Sequence, residues 1–344
     1  MTTIRIVSVE NPEFHQLPES VYLDDPFQPY CQPDRTVASL SRPEFAELQR
    51  PMLALNDSDR PVARLAARIS PSLTDRDGHP LGMISFFEAL NEPAATRQLF
   101  SAAFDYFQSC GIRTVIGPID GDTWHKYRLN AGPYDTPPFL FEPYNPPYYP
   151  ALWEASGFDH LQSYHSKSVT DLPPILPVMQ RYFDRAFHNG YRFRNFDIDQ
   201  FDAELDLLYA LSCRIFAGNF LYTAIPSDEF KALYTVAKPL IIPDLCWFAF
   251  DSHNQPVGFL FAFPEPSRQP ADTINMKTVG TVPECRGAGV AATLMYLGYQ
   301  NGVARNLTRA NLCLFADGNP SGQMDAGAGT LSRRYTLYAA AIPE

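Results

Sequence analysis

Apolar residues alternate with polar ones, or form short unbroken runs, along most of this chain, and turn residues divide the runs into strand-sized pieces. The run Ile4-Arg5-Ile6-Val7-Ser8-Val9 suits a strand, and the prolines that follow (Pro18, Pro26, Pro29, Pro33 and Pro43) exclude a long helix. Met52-Leu53-Ala54-Leu55 and Val62 to Ile69, joined by Asn56-Asp57-Ser58-Asp59, predict a hairpin, and Gly82 to Phe87 predicts a third strand. Leu99, Ala103 and Phe107 then fall at four-residue spacing. That period predicts a helix with Asn91 as N-cap and Pro93 in its first turn, running to about Gln108 and closed by Gly111. Arg113 to Ile116 reads as a buried strand.

The second half has the same rhythm. Pro173, Pro174 and Pro177 mark residues 169–190 as a connection with a short amphipathic helix. Tyr191 to Phe196 is strand-like, and Leu205, Leu208 and Leu211 give Phe201 to Phe216 a helical period. Trp247 to Phe250 and Val257 to Phe263 predict a hairpin turning at Ser252-His253-Asn254, followed by a strand over Ile274 to Thr281, a helix from Val290 to Tyr299 and a strand over Ala310 to Phe315. Each half thus reads hairpin, strand, loop, helix, strand, then an Asn-Pro pair, at Asn145-Pro146 and Asn319-Pro320. The repetition predicts a duplication, with lobes at 1–168 and 191–344. At 344 residues the chain is long enough for two cores.

The chemistry concentrates in Arg286-Gly287-Ala288-Gly289-Val290-Ala291, between the Ile274 strand and the Val290 helix. Residues without bulky side chains at a helix N-terminus let backbone N–H groups approach a phosphate, and the helix dipole favours its charge. The predicted ligand is a pyrophosphate. The spacing fits neither a P-loop nor a dinucleotide fingerprint. Read as Val-Pro-x-x-Arg-Gly-x-Gly-x-Ala, the stretch Val282 to Ala291 resembles motif A of the GNAT superfamily of N-acetyltransferases, whose Gln/Arg-x-x-Gly-x-Gly/Ala pattern holds the pyrophosphate of acetyl-coenzyme A. Leu152-Trp153-Glu154-Ala155-Ser156-Gly157-Phe158 resembles motif B of the same superfamily. In the first half the corresponding loop, Leu90-Asn91-Glu92-Pro93, lacks glycine and places a carboxylate where a phosphate belongs. With Tyr144-Asn145-Pro146-Pro147-Tyr148-Tyr149, the chain resembles bacterial tandem acetyltransferases with a degenerate first lobe.

The resemblance implies a mixed α/β fold: two tandem lobes, each with a mostly antiparallel sheet flanked by helices. It further implies that the strands Ile274 to Thr281 and Ala310 to Phe315 splay apart around a pantetheine arm. Val279, Gly280 and Thr281 would pair with its amides, Arg286, Gly287, Ala288, Gly289, Val290 and Ala291 would hold the pyrophosphate, and Asn319 would open the motif B region. An acyl group, acetyl in most of the superfamily, would pass directly to an amine of a small metabolite or amino-acid-like acceptor, which needs a base for the ammonium and an acid for the thiolate. The tyrosine that serves as acid in many members falls on Ala326 here, leaving Tyr335, Tyr338 and Asp325 as substitutes. The acceptor is expected in a cleft between lobes lined by Asp120, Asp122, Tyr144, Asn145 and Tyr148, with His125 as candidate base, since imidazole titrates in the useful range. Cys285 adjoins the loop but has no base beside it in sequence.

Composition narrows the partners. A net charge of −11 disfavours a nucleic-acid partner, and with it the reading as an aminoacyl transferase using aminoacyl-tRNA. The six cysteines, Cys31 among them, show no Cys-x-x-Cys pair, so no metal site is expected. No apolar run is long enough to cross a bilayer, and a cytoplasmic protein with reduced thiols is expected. A non-catalytic acyl-CoA-binding protein is the remaining alternative.

Overall fold

The structure is a computed structural model that describes residues 2–27, 40–267 and 270–342; Pro29, Cys31 and Pro33 lie outside them. The chain forms two compact units, Met1–Ser163 with Arg334–Glu344, and Tyr164–Arg333.

In the first unit, β1 (Thr3–Ile6), β2 (Gln49–Leu55), β3 (Pro61–Thr74), β4 (Pro80–Ala89) and β5 (Thr114–Gly117) lie side by side in that order. The sixth place is taken by β13 (Thr330–Ala341), paired to β5 from Tyr338 to Ala341, with the short β6 (Leu129–Asn130) on its other stretch. Helices α2 (Pro93–Ser109) and α3 (Tyr149–Glu154) cover one face, where Leu99, Phe100, Phe107, Trp153 and Tyr338 form the core. Helix α1 (Pro12–Val21) covers the other face through Phe14 and Leu17. With both faces covered, residues 62–68 of β3, Arg64 and Arg68 included, and all of β4 after Pro80 are buried, which explains why these runs do not alternate. Gly117 is required by Trp153: a Cβ there would sit 2.7 Å from the indole ring. The N-cap of α2 is Glu92 rather than Asn91, with no side-chain bond, and Pro93 starts the helix.

The second unit repeats the plan. Its sheet runs β8 (Arg192–Asn195), β9 (Trp247–Phe250), β10 (Pro256–Pro264), β11 (Thr273–Thr281), β12 (Arg309–Ala316), and its sixth strand is β7 (Asp159–Val169), which belongs to this unit from Tyr164. On one face lies α7 (Val290–Ala304), backed by α4 (Leu176–His188). Gly298 and Gly302 of α7 leave room for Met276 and Ile274 of β11, so those side chains face α7. On the other face α5 (Phe201–Phe216), joined by α6 (Ser227–Thr235), sets Ile215 and Phe216 over Gly280 of β11.

The halves therefore share one strand order, but each takes its sixth strand from elsewhere in the sequence. Residues Arg334–Glu344, expected in the second lobe, complete the first unit, and residues 164–168, expected in the first, begin the second. The expected connection, 169–190, holds α4, which packs on α7.

Candidate active site

Strands β11 and β12 run parallel through four rungs, from Thr273↔Arg309 to Met276↔Leu312, and there the ladder ends. Both strands continue, but toward other partners. Beyond the last rung β11 stays paired to β10 as far as Thr281↔Gly258, while β12 shifts register and pairs Phe315 and Ala316 with His165 and Tyr164 of β7. Each strand is irregular at the parting: β11 bulges at Lys277, and Leu314 of β12 has φ +59°. Val279, Gly280 and Thr281 lie along the gap so formed.

The chain leaves β11 through Val282 and reaches α7 by the glycine loop. Gly287 and Gly289 have φ +81° and +86°, a region that only glycine adopts freely, and Gly289 is the N-cap of α7 with no side chain bonding the first turn. Among the described residues, the N–H groups of Gly287, Gly289, Val290 and Ala291 have no acceptor in the protein; that of Ala288 donates to Cys285 O. Four unspent donors, two in the loop and two in the first turn of a fifteen-residue helix, fit an anion such as a pyrophosphate. The Arg286 guanidinium donates to Ile215 O at 3.2 Å, tying the loop to the end of α5. Cys285 is buried and takes a 3.7 Å contact from the Tyr191 hydroxyl, whose pKa this bond raises.

The equivalent place in the first unit is closed. There β4 and β5 share only the rungs Gly82↔Val115 and Met83↔Ile116, yet the strands stay stitched together beyond them. Ile119 N donates to Ile84 O (2.9 Å), Ser85 Oγ to Ile119 O (2.6 Å) and Phe86 N to Asp120 Oδ1 (2.8 Å). Burial raises the Asp120 pKa, against the opposing pull of Lys126, the Phe86 amide and Arg68.

A line of polar side chains, buried at Glu265, Asn275 and Asn311 and half-buried at Ser168, crosses the second unit at the rung next to the parting. Asn275 Nδ2 donates to Glu265 Oε2 (2.6 Å), Asn311 Nδ2 to Asn275 Oδ1 (2.9 Å) and Ser168 Oγ to Asn311 Oδ1 (3.0 Å). The line lies on the face away from α7, since Asn275 alternates with Ile274 and Met276. The signal missed in the sequence is two asparagines inside strand-like runs, a residue type that strands disfavour.

Most of the other predicted site residues are bonded to their own chain. Asp122 accepts from His125 Nδ1 and from Arg42, both at 2.8 Å; burial would raise its pKa, but these two partners hold it below the usual value. His125, the candidate base, is thus engaged at Nδ1. Tyr144 donates to the Asp25 carboxylate at 2.8 Å, Asn145 bonds both backbone groups of Asn130, and Tyr148 donates to Ala89 O, its pKa pushed up to about 12 by burial. Of the candidate acids, Tyr338 donates to Glu154 at 2.9 Å and stacks on Trp153 in the first unit's core. Tyr335 is buried in that unit too, its hydroxyl without a partner. Neither belongs to the unit that carries the loop. Asp325 pairs with Lys167 at 3.0 Å, and Asn319 Oδ1 accepts from Ser321 N to cap a short 3-10 turn.

No protein-family model matches the chain. A bacterial ceramide synthase of Caulobacter vibrioides (strain NA1000 / CB15N) is 25% identical over 237 residues, 67% of this chain and 60% of that protein. Protein YghO of Escherichia coli (strain K12) is 23% identical over 265 residues, 75% of this chain and 67% of that one. The chain thus spans about three fifths to two thirds of the length of these relatives. Among solved structures, a tandem GNAT protein from the clavulanic acid biosynthesis pathway matches with a TM-score of 0.55 over 100% of this chain and 99% of its own, at 12% identity. The fold is the tandem GNAT fold.

Proposed function

We propose that the chain is an acyl-CoA-dependent N-acyltransferase whose coenzyme binds the second unit. The observation that carries this reading is the parting of β11 from β12 after Met276↔Leu312, directly ahead of a loop with four unspent amides. The pyrophosphate lies on Gly287 to Ala291, and the pantetheine arm lies along Val279, Gly280 and Thr281, where strand backbone has lost its partner on one side. When bound, the coenzyme supplies a thioester. The residues of the chain bind and orient it, so that an amine meets the carbonyl in a water-poor site and no enzyme nucleophile is needed. Supporting the amide-forming chemistry, one relative is named as a ceramide synthase, and a ceramide is an amide. The donor is acetyl-CoA or a longer acyl-CoA, and the acceptor is a small amine.

A second reading, acyl-CoA binding without transfer, draws on one observation: Ala326 stands where the usual acid falls, and Tyr335 and Tyr338 belong to the first unit. Thermal-shift titrations with CoA, acetyl-CoA and octanoyl-CoA, followed by a thiol-release assay over a panel of amines, test both readings. Ligand at a hundred times its dissociation constant adds about 2.7 kcal/mol, enough for a shift of several degrees. Stabilisation with thiol release supports transfer. Stabilisation without release for any amine supports the second reading, and the absence of any shift sinks both.

A further inference from the structure

Ser212 lies on the sheet-facing side of α5, fully buried, and its hydroxyl has no hydrogen-bond partner, not even a carbonyl one turn back. A buried hydroxyl without a partner is costly, and native proteins seldom keep one without a use for it. Its neighbours suggest that use. One turn onward along the same face, Ile215 and Phe216 roof Gly280, which lies beside the gap between β11 and β12. One and two turns back, Leu208 and Leu205 line an apolar cavity of about 20 Å³, with Phe259 and Phe261 of β10 and with Tyr234, Ala237 and Cys246. Burial there pushes the Cys246 thiol up to about 12. Phe259 and Phe261 pair directly with Gly280 and Thr278, so the floor of the cavity continues into the rim of the gap. Ser212 stands between the two.

We infer that the acyl group of the donor turns from the gap under α5, with its thioester carbonyl accepting a hydrogen bond from Ser212 Oγ and its tail directed into the cavity between Leu208 and Phe261. This assignment rests on the coenzyme reading above. On this face of β11 the Ile215 side chain packs directly on Gly280, where a Cβ would meet it at 2.6 Å, so the acyl group passes by turning the Ile215 side chain aside. From gap to cavity is on the order of 10 Å, two strand spacings, which a saturated chain of about eight carbons spans. The cavity has room for about one water-sized group, enough for the end of such a tail.

The experiment measures the affinities of CoA, acetyl-CoA and octanoyl-CoA by calorimetry on the full chain and on Ser212→Ala and Ala237→Val, with the unliganded melting temperature of each. Ser212→Ala is expected to melt higher than the parent and bind CoA equally well, but to bind both acyl-CoAs about tenfold more weakly, the worth of one hydrogen bond. Ala237→Val fills the cavity and is expected to weaken octanoyl-CoA at least tenfold while sparing acetyl-CoA. A Ser212→Ala protein with an unaltered ratio of acyl-CoA to CoA affinity overturns the carbonyl contact. Octanoyl-CoA bound no tighter than acetyl-CoA and indifferent to Ala237→Val overturns the tail site. Should the parent bind none of the three, the coenzyme reading itself fails and this assignment falls with it; binding of CoA by every variant keeps the two failures apart.

Discussion

The Phe86 amide donates to Asp120 Oδ1 at 2.8 Å, and with that bond the first unit fills from within the space that the second unit leaves open. The strands flanking that space correspond: β4 bulges near Phe86, which has φ +54°, as β11 bulges at Lys277. In one unit a carboxylate from the same chain meets the displaced amide; in the other the β11–β12 ladder stops at Met276↔Leu312. Calorimetric titration with CoA is therefore expected to give one site per chain, and Glu92→Gln, in the first unit's loop, is expected to leave affinity unchanged. Two sites per chain would contradict this account.

Asp120 also makes the stability of the first unit depend on pH in a defined direction. Its pKa is raised in the fold, so ionisation costs stability: the cost is absent below the ordinary aspartate value of 3.8 and complete above the raised one. Asp120→Asn keeps an oxygen for the Phe86 amide and removes the charge. The variant is expected to melt above the parent near pH 8, by about 2–4 °C per kcal/mol relieved, with the difference vanishing as pH falls toward 4. Melting curves across that range decide it, and a difference that does not change with pH would count against the assignment.

At the loop, Gly289→Glu is expected to reduce CoA affinity at least a hundredfold in a protein that still folds, whereas Gly289→Ala costs about tenfold. Both variants carry the strain of φ +86°, worth about 1–2 kcal/mol, but only one adds a carboxylate among the unspent amides. A new Cβ would meet Tyr182 at an ordinary 3.7 Å, so crowding does not confuse the comparison. Equal losses in the two would argue against an anion on this loop.

Removing one member of the buried polar line leaves its neighbour stranded. Asn311→Ala deprives Asn275 Oδ1 and Ser168 Oγ of their partner and is expected to destabilise the second unit by about 1–3 kcal/mol. Because Asn275 and Asn311 share a bond, the Asn275→Ala/Asn311→Ala double variant is expected to lose less than the two single losses combined, measured by chemical denaturation. Additive losses would mean that the two residues act separately.

Local pattern and distant partnership were not equally legible in the sequence. Strands β2 to β5, the helix Phe201–Phe216 and the order around the glycine loop follow from alternation, helical period and turn chemistry, all of which act within a few residues. Strand β7 went unseen, since Asp159-His160-Leu161-Gln162-Ser163 offers little apolar alternation, and the membership of β13 depends on a pairing with Thr114–Gly117 more than two hundred residues earlier. The candidate acceptor residues illustrate the same limit. Asp120, Asp122 and Tyr144 read as polar groups awaiting a ligand, but their partners Phe86, Arg42 and Asp25 lie 34, 80 and 119 residues away. The spacing of Gly287 and Gly289 needed no distant partner, because positive φ ahead of a helix is a local property of the chain.

The exchange of sixth strands has a consequence for how the protein is made. Synthesis proceeds from the N-terminus at roughly 5–20 residues per second, and domains usually fold as they emerge. Here the half that emerges first waits for the stretch beginning at Arg334: until then the edge of β5 is unpaired and Trp153 lacks the Tyr338 ring that stacks on it. The second half, which receives β7 from the middle of the chain, has all its strands in hand earlier. The lobe that is started first is thus finished last, with an open strand edge in the interval.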